Sequence, residues 1–99
     1  MVYELAVISV KPGQEAEFEA AARQAIALFQ RAKGCTGMEI RRSVETPTEY
    51  HLSVKWATLE NHTVDFRGSE DFQEWRRLVG PFFAVPPQVQ HLETTFVGF

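Results

Sequence analysis

The sequence predicts an α+β fold built on one antiparallel sheet, and three observations carry that prediction. Apolar residues at strand-like spacing mark residues 2–10, 37–43, 50–56 and 89–97 as four strands. A stripe of Phe18, Ala22, Ala25, Phe29 and Ala32, stepping by four and three, marks a helix over residues 15–33. A second stripe of Phe72, Trp75, Leu78 and Val79 marks another helix before Gly80-Pro81. The order of these elements makes a ferredoxin-like split βαβ layout the economical one.

Each element has its own warrant. Residues 2–10 are rich in Val, Ile and Leu, and Lys11-Pro12-Gly13-Gln14 turns the chain into the helix. Ala21 and Leu28 widen the helix stripe, Glu19 and Arg23 stand four apart as an expected ion pair, and Gly34 is the expected stop. Met38, Ile40 and Arg42 share one face of the second strand, with Glu39, Arg41 and Ser43 on the other. The third strand alternates more cleanly: Tyr50, Leu52, Val54 and Trp56 against His51, Ser53 and Lys55. A turn over residues 46–49 makes these two strands a hairpin. Leu59, His62, Thr63 and Phe66 suggest a short helix, and Ser69 followed by Glu70-Asp71 caps the next one. Helices on one side leave the other sheet face bare, with residues such as Val7 or Ile8 alternating onto it. A second copy of the same face is the simplest cover, so a homodimer is expected.

Composition narrows the function classes. Ninety-nine residues are expected to form one domain over residues 1–99. Ten basic against thirteen acidic side chains give a net charge of −3, which argues against nucleic acid or an anionic membrane as partner. No apolar run is long enough to span a bilayer, and the start Met1-Val2-Tyr3-Glu4 carries no basic leader, so a cytoplasmic location is expected. One cysteine, Cys35, excludes a disulfide framework, and three histidines on three elements lack metal-ligand spacing. No metal is expected. Five of the twelve aromatic rings fall between Phe66 and Phe83, a concentration that suggests a pocket roof.

Ordered motifs then add a family resemblance. They are Val10-Lys11-Pro12-Gly13 before an Ala/Glu-rich helix, Gly34-Cys35-x-Gly37, and Tyr50-x-Leu52-x-x-x-Trp56. Leu59-Glu60-x-His62-x-x-x-Phe66 and Ser69-x-x-Phe72-x-x-Trp75 complete the series. Together they resemble the antibiotic biosynthesis monooxygenase family along essentially the whole chain. The resemblance implies a dimeric α/β barrel with a pocket between sheet and helices in each subunit. It implies a monooxygenase that oxidises a planar phenol or quinol with O₂, without flavin, haem or metal. In the haem-degrading branch an Asn and a His stand where this chain has Ala6 and Arg76, so haem degradation is disfavoured. In the aromatic-polyketide branch Trp56 matches a Trp, His62 falls at a Tyr position, Leu52 replaces an Asn and Arg76 falls near an Arg.

The candidate site follows from both readings. His62 shares a helical face with Leu59 and Phe66 and is the candidate base, since an ordinary histidine titrates near neutrality. Trp56 is the candidate wall that stacks on a planar molecule, and Arg76 the candidate partner of a phenolate. Leu52, Phe66, Phe72, Trp75 and His91 are the expected pocket residues, His91 and His51 also being candidates for the dimer seam. Cys35 reads as structural. Two other classes compete with the oxygenase: a non-catalytic dimer that binds a small apolar ligand, and another enzyme, such as an isomerase or a signal-degrading one, on the same scaffold.

Overall fold

Alternation puts Glu4, Ala6, Ile8 and Val10 on one face of the first strand and Tyr3, Leu5, Val7 and Ser9 on the other, and only the first set is buried. In the computed structural model, which describes residues 1–99, this strand is β1 (Val2–Ser9). It lies inside a four-stranded sheet of order β2-β3-β1-β4, where β2 is Cys35–Arg42, β3 is Glu49–Trp56 and β4 is Gln88–Leu92. Every neighbouring pair is antiparallel, so β1 and β2 run the same way with β3 between them, the split βαβ predicted from the element order. Tyr50, Leu52, Val54 and Trp56 are all buried, as their alternation requires.

The buried face is covered by α1 (Glu15–Gln24), α2 (Ile26–Gln30) and α3 (Glu70–Val79). The helix expected over residues 15–33 is thus two shorter ones. At Ala25 the backbone N–H is shared between the carbonyls of Ala21 and Ala22, at 3.2 and 3.1 Å, a tightened turn that offsets α2 from α1. The offset buries the adjacent Leu28 and Phe29 together and turns Ile26 outward. Gly34 follows with φ of +78°, and a Cβ there would lie 2.0 Å from Asn61 Oδ1, so both backbone and space demand glycine. The expected Glu19–Arg23 pair does not form. Glu19 instead accepts the Tyr50 hydroxyl at 2.6 Å and lies 3.7 Å from Arg42.

After α3 a single 3₁₀ turn, Gly80–Phe82, brings the chain back to the end of β1. Lys11 N–H donates to the Phe82 carbonyl at 2.9 Å, Ala84 N–H donates to Ser9 at 2.7 Å, and Val10 pairs with Phe83. This staple fixes where Pro86-Pro87 passes on its way to β4. The last strand stops at Leu92 rather than at residue 97, its ladder with β1 ending where Leu92 pairs with Tyr3. Phe96, Val97 and Phe99 beyond it are exposed. On the uncovered sheet face Leu5 and Val7 stand beside Ser53 and His51; Ile8 is on the opposite, buried face. No helix is long and apolar enough to cross a membrane.

Candidate active site

Register decides which side chains meet beneath α3. Glu4 on β1 stands opposite His91 of β4 on one side and Val54 of β3 on the other, and Trp56 ends β3 opposite Val2. All of these lie on the sheet face that meets the helices. Above them residues Asn61–Phe66 form a π-helical turn, in which Arg67 N–H donates to the His62 carbonyl five residues back, at 3.1 Å. Asn61 braces the turn: its Oδ1 accepts Thr58 N–H and its Nδ2 donates to Asp65, both at 3.1 Å. The wide turn lays the His62 ring flat on Trp56, with centroids 5.3 Å apart and planes 17° from parallel.

The polar contacts form one connected set. Trp56 Nε1–H donates to Glu4 Oε1 at 3.1 Å, and His62 Nε2 lies 3.3 Å from the same oxygen. His62 Nδ1 and His91 Nε2 are 2.8 Å apart. With Glu4 ionised, one proton arrangement satisfies every contact: His91 Nε2–H donates to His62 Nδ1, and His62 Nε2–H points at the carboxylate. With Glu4 protonated the two imidazoles reverse, His62 Nδ1–H donating to His91. Both contacts fall on Oε1, which leaves Oε2 for a molecule beside the carboxyl group.

Burial dominates the electrostatics. Glu4 is only 5% exposed, and desolvation raises its pKa, against smaller lowering effects from the Trp56 hydrogen bond and the Arg67 charge. His62, 2% exposed, is pushed down to about 4 by burial and then by the charges of Arg67 and His91. His91 is lowered too, first by burial and then by Arg67. The imidazoles are therefore neutral at neutral pH, and the carboxyl group is a stronger base than an exposed one.

Glu4 and His62 open onto a cleft of about 870 Å³ between sheet and α3. Ala6, Ile8 and Leu52 complete its floor, Phe72, Trp75 and Phe83 give it aromatic walls, and Arg67, Arg76 and Arg77 stand at its exposed rim. Arg76 lies over the Phe72 ring, 5.8 Å from its centroid. A second cleft of about 400 Å³ lies between α1 and the β2–β3 edge. Its one phenol, Tyr50, is held by Glu19 with its pKa pushed up to about 12, chiefly by burial, so it offers no base. No group of three or more His, Cys, Asp and Glu side chains is arranged to hold a metal ion.

Most of the sequence-derived residues come together here. His62, Leu52, Phe72, Trp75 and Arg76 line the cleft. Trp56 is 0% exposed and stands behind His62, where its indole N–H serves Glu4 rather than a ligand. Phe66 is also behind the wall, 5.5 Å from Trp56 and 4.9 Å from Phe29 between ring centroids. His91 reaches the site through His62, whereas His51 pairs with Glu49 on the uncovered face. Two residues escaped the sequence reading, Glu4 and Arg67. Glu4 did leave a signal: it is the one charged residue in phase with Ala6, Ile8 and Val10.

A split βαβ sheet with a carboxyl group sunk at the floor of an aromatic cleft defines the chain as an α+β protein of ferredoxin-like architecture. The chain belongs to the antibiotic biosynthesis monooxygenase family, whose model matches residues 1–78. It is 41% identical to the uncharacterised protein YczJ of Bacillus subtilis (strain 168), an alignment covering 94% of this chain and 98% of that one. A Bordetella bronchiseptica crystal structure named for the same family superposes with a TM-score of 0.94 at 55% identity, covering 96% of this chain and 97% of that one. SnoaB, a cofactor-independent oxygenase from Streptomyces nogalater, shares the fold with a TM-score of 0.84 at 15% identity, over 98% of this chain and 95% of that one.

Proposed function

We propose that the chain is a monooxygenase that inserts one atom of O₂ into a planar phenol or quinol without a bound cofactor. The observation that carries this reading is Glu4, a carboxyl group with a raised pKa that lines an aromatic-walled cleft and whose Oε2 has no protein hydrogen bond. Glu4 takes the phenolic proton, and the electron-rich anion then reduces O₂ by one electron. Recombination of the radical pair forms a C–O bond to a ring carbon bearing hydrogen, giving a hydroperoxide. Loss of that hydrogen as a proton, with O–O cleavage, releases water and leaves a carbonyl. Substrate supplies all four electrons, one oxygen stays in the product and the other leaves as water.

His62 then has a different role from the base suggested by an ordinary histidine pKa. With its pKa near 4 it is uncharged at neutral pH and carries a single N–H, and its two nitrogens link Glu4 to His91. It is a relay by which the proton taken up by Glu4 leaves toward the partly exposed His91. Apolar walls keep bulk water from the anion. Metal-free protein is expected to consume O₂ with at least one member of a panel of naphthols, hydroquinones and anthrones well above the buffer rate. Uptake no faster than buffer across that panel would remove the oxygenase reading and leave a ligand-binding one.

The functional unit in this reading is a homodimer. The face carrying Leu5, Val7, Ser53 and His51 has no helix over it, and a second copy of that face closes two sheets into a barrel. Sedimentation equilibrium is expected to give twice the 11.3 kDa chain mass at micromolar concentration. A species at the single-chain mass would overturn it.

A further inference from the structure

We infer that the substrate of this cleft carries a permanent anionic group, a carboxylate, at the end of the ring system remote from the hydroxyl that loses its proton. The inference rests on the oxygenase reading for the identity of that hydroxyl, and on the distribution of charge for everything else. Four charged side chains line the cleft: Glu4, Arg67, Arg76 and Arg77. The chain as a whole is acidic, with a net charge of −3, so a rim with three guanidinium groups and no carboxylate runs against its composition. The α1–β2 cleft, by contrast, balances Arg23 and Arg42 with Glu19 and Glu39.

Pairing sharpens the point. Arg31, Arg41, Arg42 and Arg77 each have a carboxylate partner, Asp71, Glu39, Glu15 with Glu19, and Glu74 respectively. Arg23, Arg67 and Arg76 have none; Arg23 lines the α1–β2 cleft together with Glu19 and Glu39, whereas Arg67 and Arg76 stand on a rim without a carboxylate. Unpaired guanidinium groups with planar donor forks match a carboxylate better than any neutral group. Depth supplies the orientation. Glu4 and His62 are nearly inaccessible at the floor, while Arg67 and Arg76 are exposed. A planar molecule that presents its hydroxyl to Glu4 lies along Phe72, Trp75 and Phe83 and brings its far end to the two arginines. Both arginines are thus placed for the far substituent, and the charge of Arg67 also reaches Glu4 and the two histidines at the floor.

Redox-inert product mimics test this without turnover. Binding of an anthraquinone carboxylate and of its neutral hydroxymethyl analogue is measured by isothermal titration calorimetry on the wild-type protein and on an Arg67→Gln/Arg76→Gln double variant. The carboxylate is expected to bind about tenfold or more tightly than the neutral analogue at low salt, as charge-assisted hydrogen bonds allow. That preference should shrink at about 0.5 M salt and vanish in the double variant, whose thermal midpoint should match wild type. Equal affinities in the wild type, absence of binding by either compound, or a preference that survives the double substitution would overturn the inference. Because neither compound can be oxidised, failure of the oxygen-uptake assay beside a retained carboxylate preference removes the oxygenase reading alone. Uptake that is equal for neutral and carboxylated quinols, and unaffected by the double substitution, removes this inference and leaves that reading standing.

Discussion

Glu4→Gln is expected to lower substrate-dependent oxygen uptake about a hundred- to ten-thousandfold, the usual worth of a positioned general base. The amide retains an oxygen that accepts from Trp56 Nε1–H, and its volume is nearly that of the acid, so the aromatic cleft should keep its shape. The pH profile separates chemistry from damage. In the wild type the rate should rise as pH passes the raised Glu4 pKa, because only the carboxylate accepts a proton; the Gln variant should lack that limb. Stability should move the other way. A folded-state pKa raised above the ordinary glutamate value of 4.5 means that the fold favours the protonated acid, and this contribution is lost as pH rises through the folded pKa. A neutral Gln never ionises, so at neutral pH the variant should melt at or above the wild-type temperature. Wild-type turnover in Glu4→Gln would eliminate the carboxylate as base. Lost turnover with a lowered melting temperature would point to disruption instead.

That opposition between stability and chemistry explains why the site was only half legible in the sequence. Tyr50, Leu52, Val54 and Trp56 revealed their strand and its buried face because each obeys the rule that apolar side chains go inside. Glu4 breaks that rule, so a reading based on apolar alternation passes over it. It is nevertheless the group that burial makes the more basic carboxyl and that the proposed reaction uses as its base. His62 was visible as a histidine on an apolar helical face. Its pKa was not, because the fall to about 4 depends on burial and on Arg67 and His91, and His91 lies 29 residues away in sequence. The meeting of Glu4 with His91 is a consequence of β1–β4 register, which no local pattern encodes. The same limit explains the last strand. Residues 93–97 continue a strand-like composition, yet the β1–β4 ladder ends at the Tyr3–Leu92 pair. Local pattern sets the faces, and register sets the encounters.

Trp56 is where the core and the site become one structure, and its replacement should cost the most stability. It is fully buried, stacks on His62, and packs against Phe66. Trp56→Ala is expected to destabilise by about 3–5 kcal/mol, the range for deleting a buried aromatic side chain. Against a total of about 5–15 kcal/mol for a domain, that is enough to bring the chain close to unfolding at physiological temperature. Trp56→Phe separates the indole's bulk from its N–H. The ring keeps much of the contact with His62 and Phe66, while Glu4 loses the hydrogen bond that holds its pKa down. The Phe variant should therefore remain folded with a smaller loss of stability, and its pH–rate profile should shift to higher pH because the acid is harder to ionise. Chemical denaturation reads the first effect and the pH dependence of oxygen uptake reads the second. A Phe variant with an unmoved profile would show that the indole N–H does not tune Glu4, and would reduce Trp56 to a packing residue. A shifted profile on a folded protein places the control of the base in a side chain that never touches the cleft.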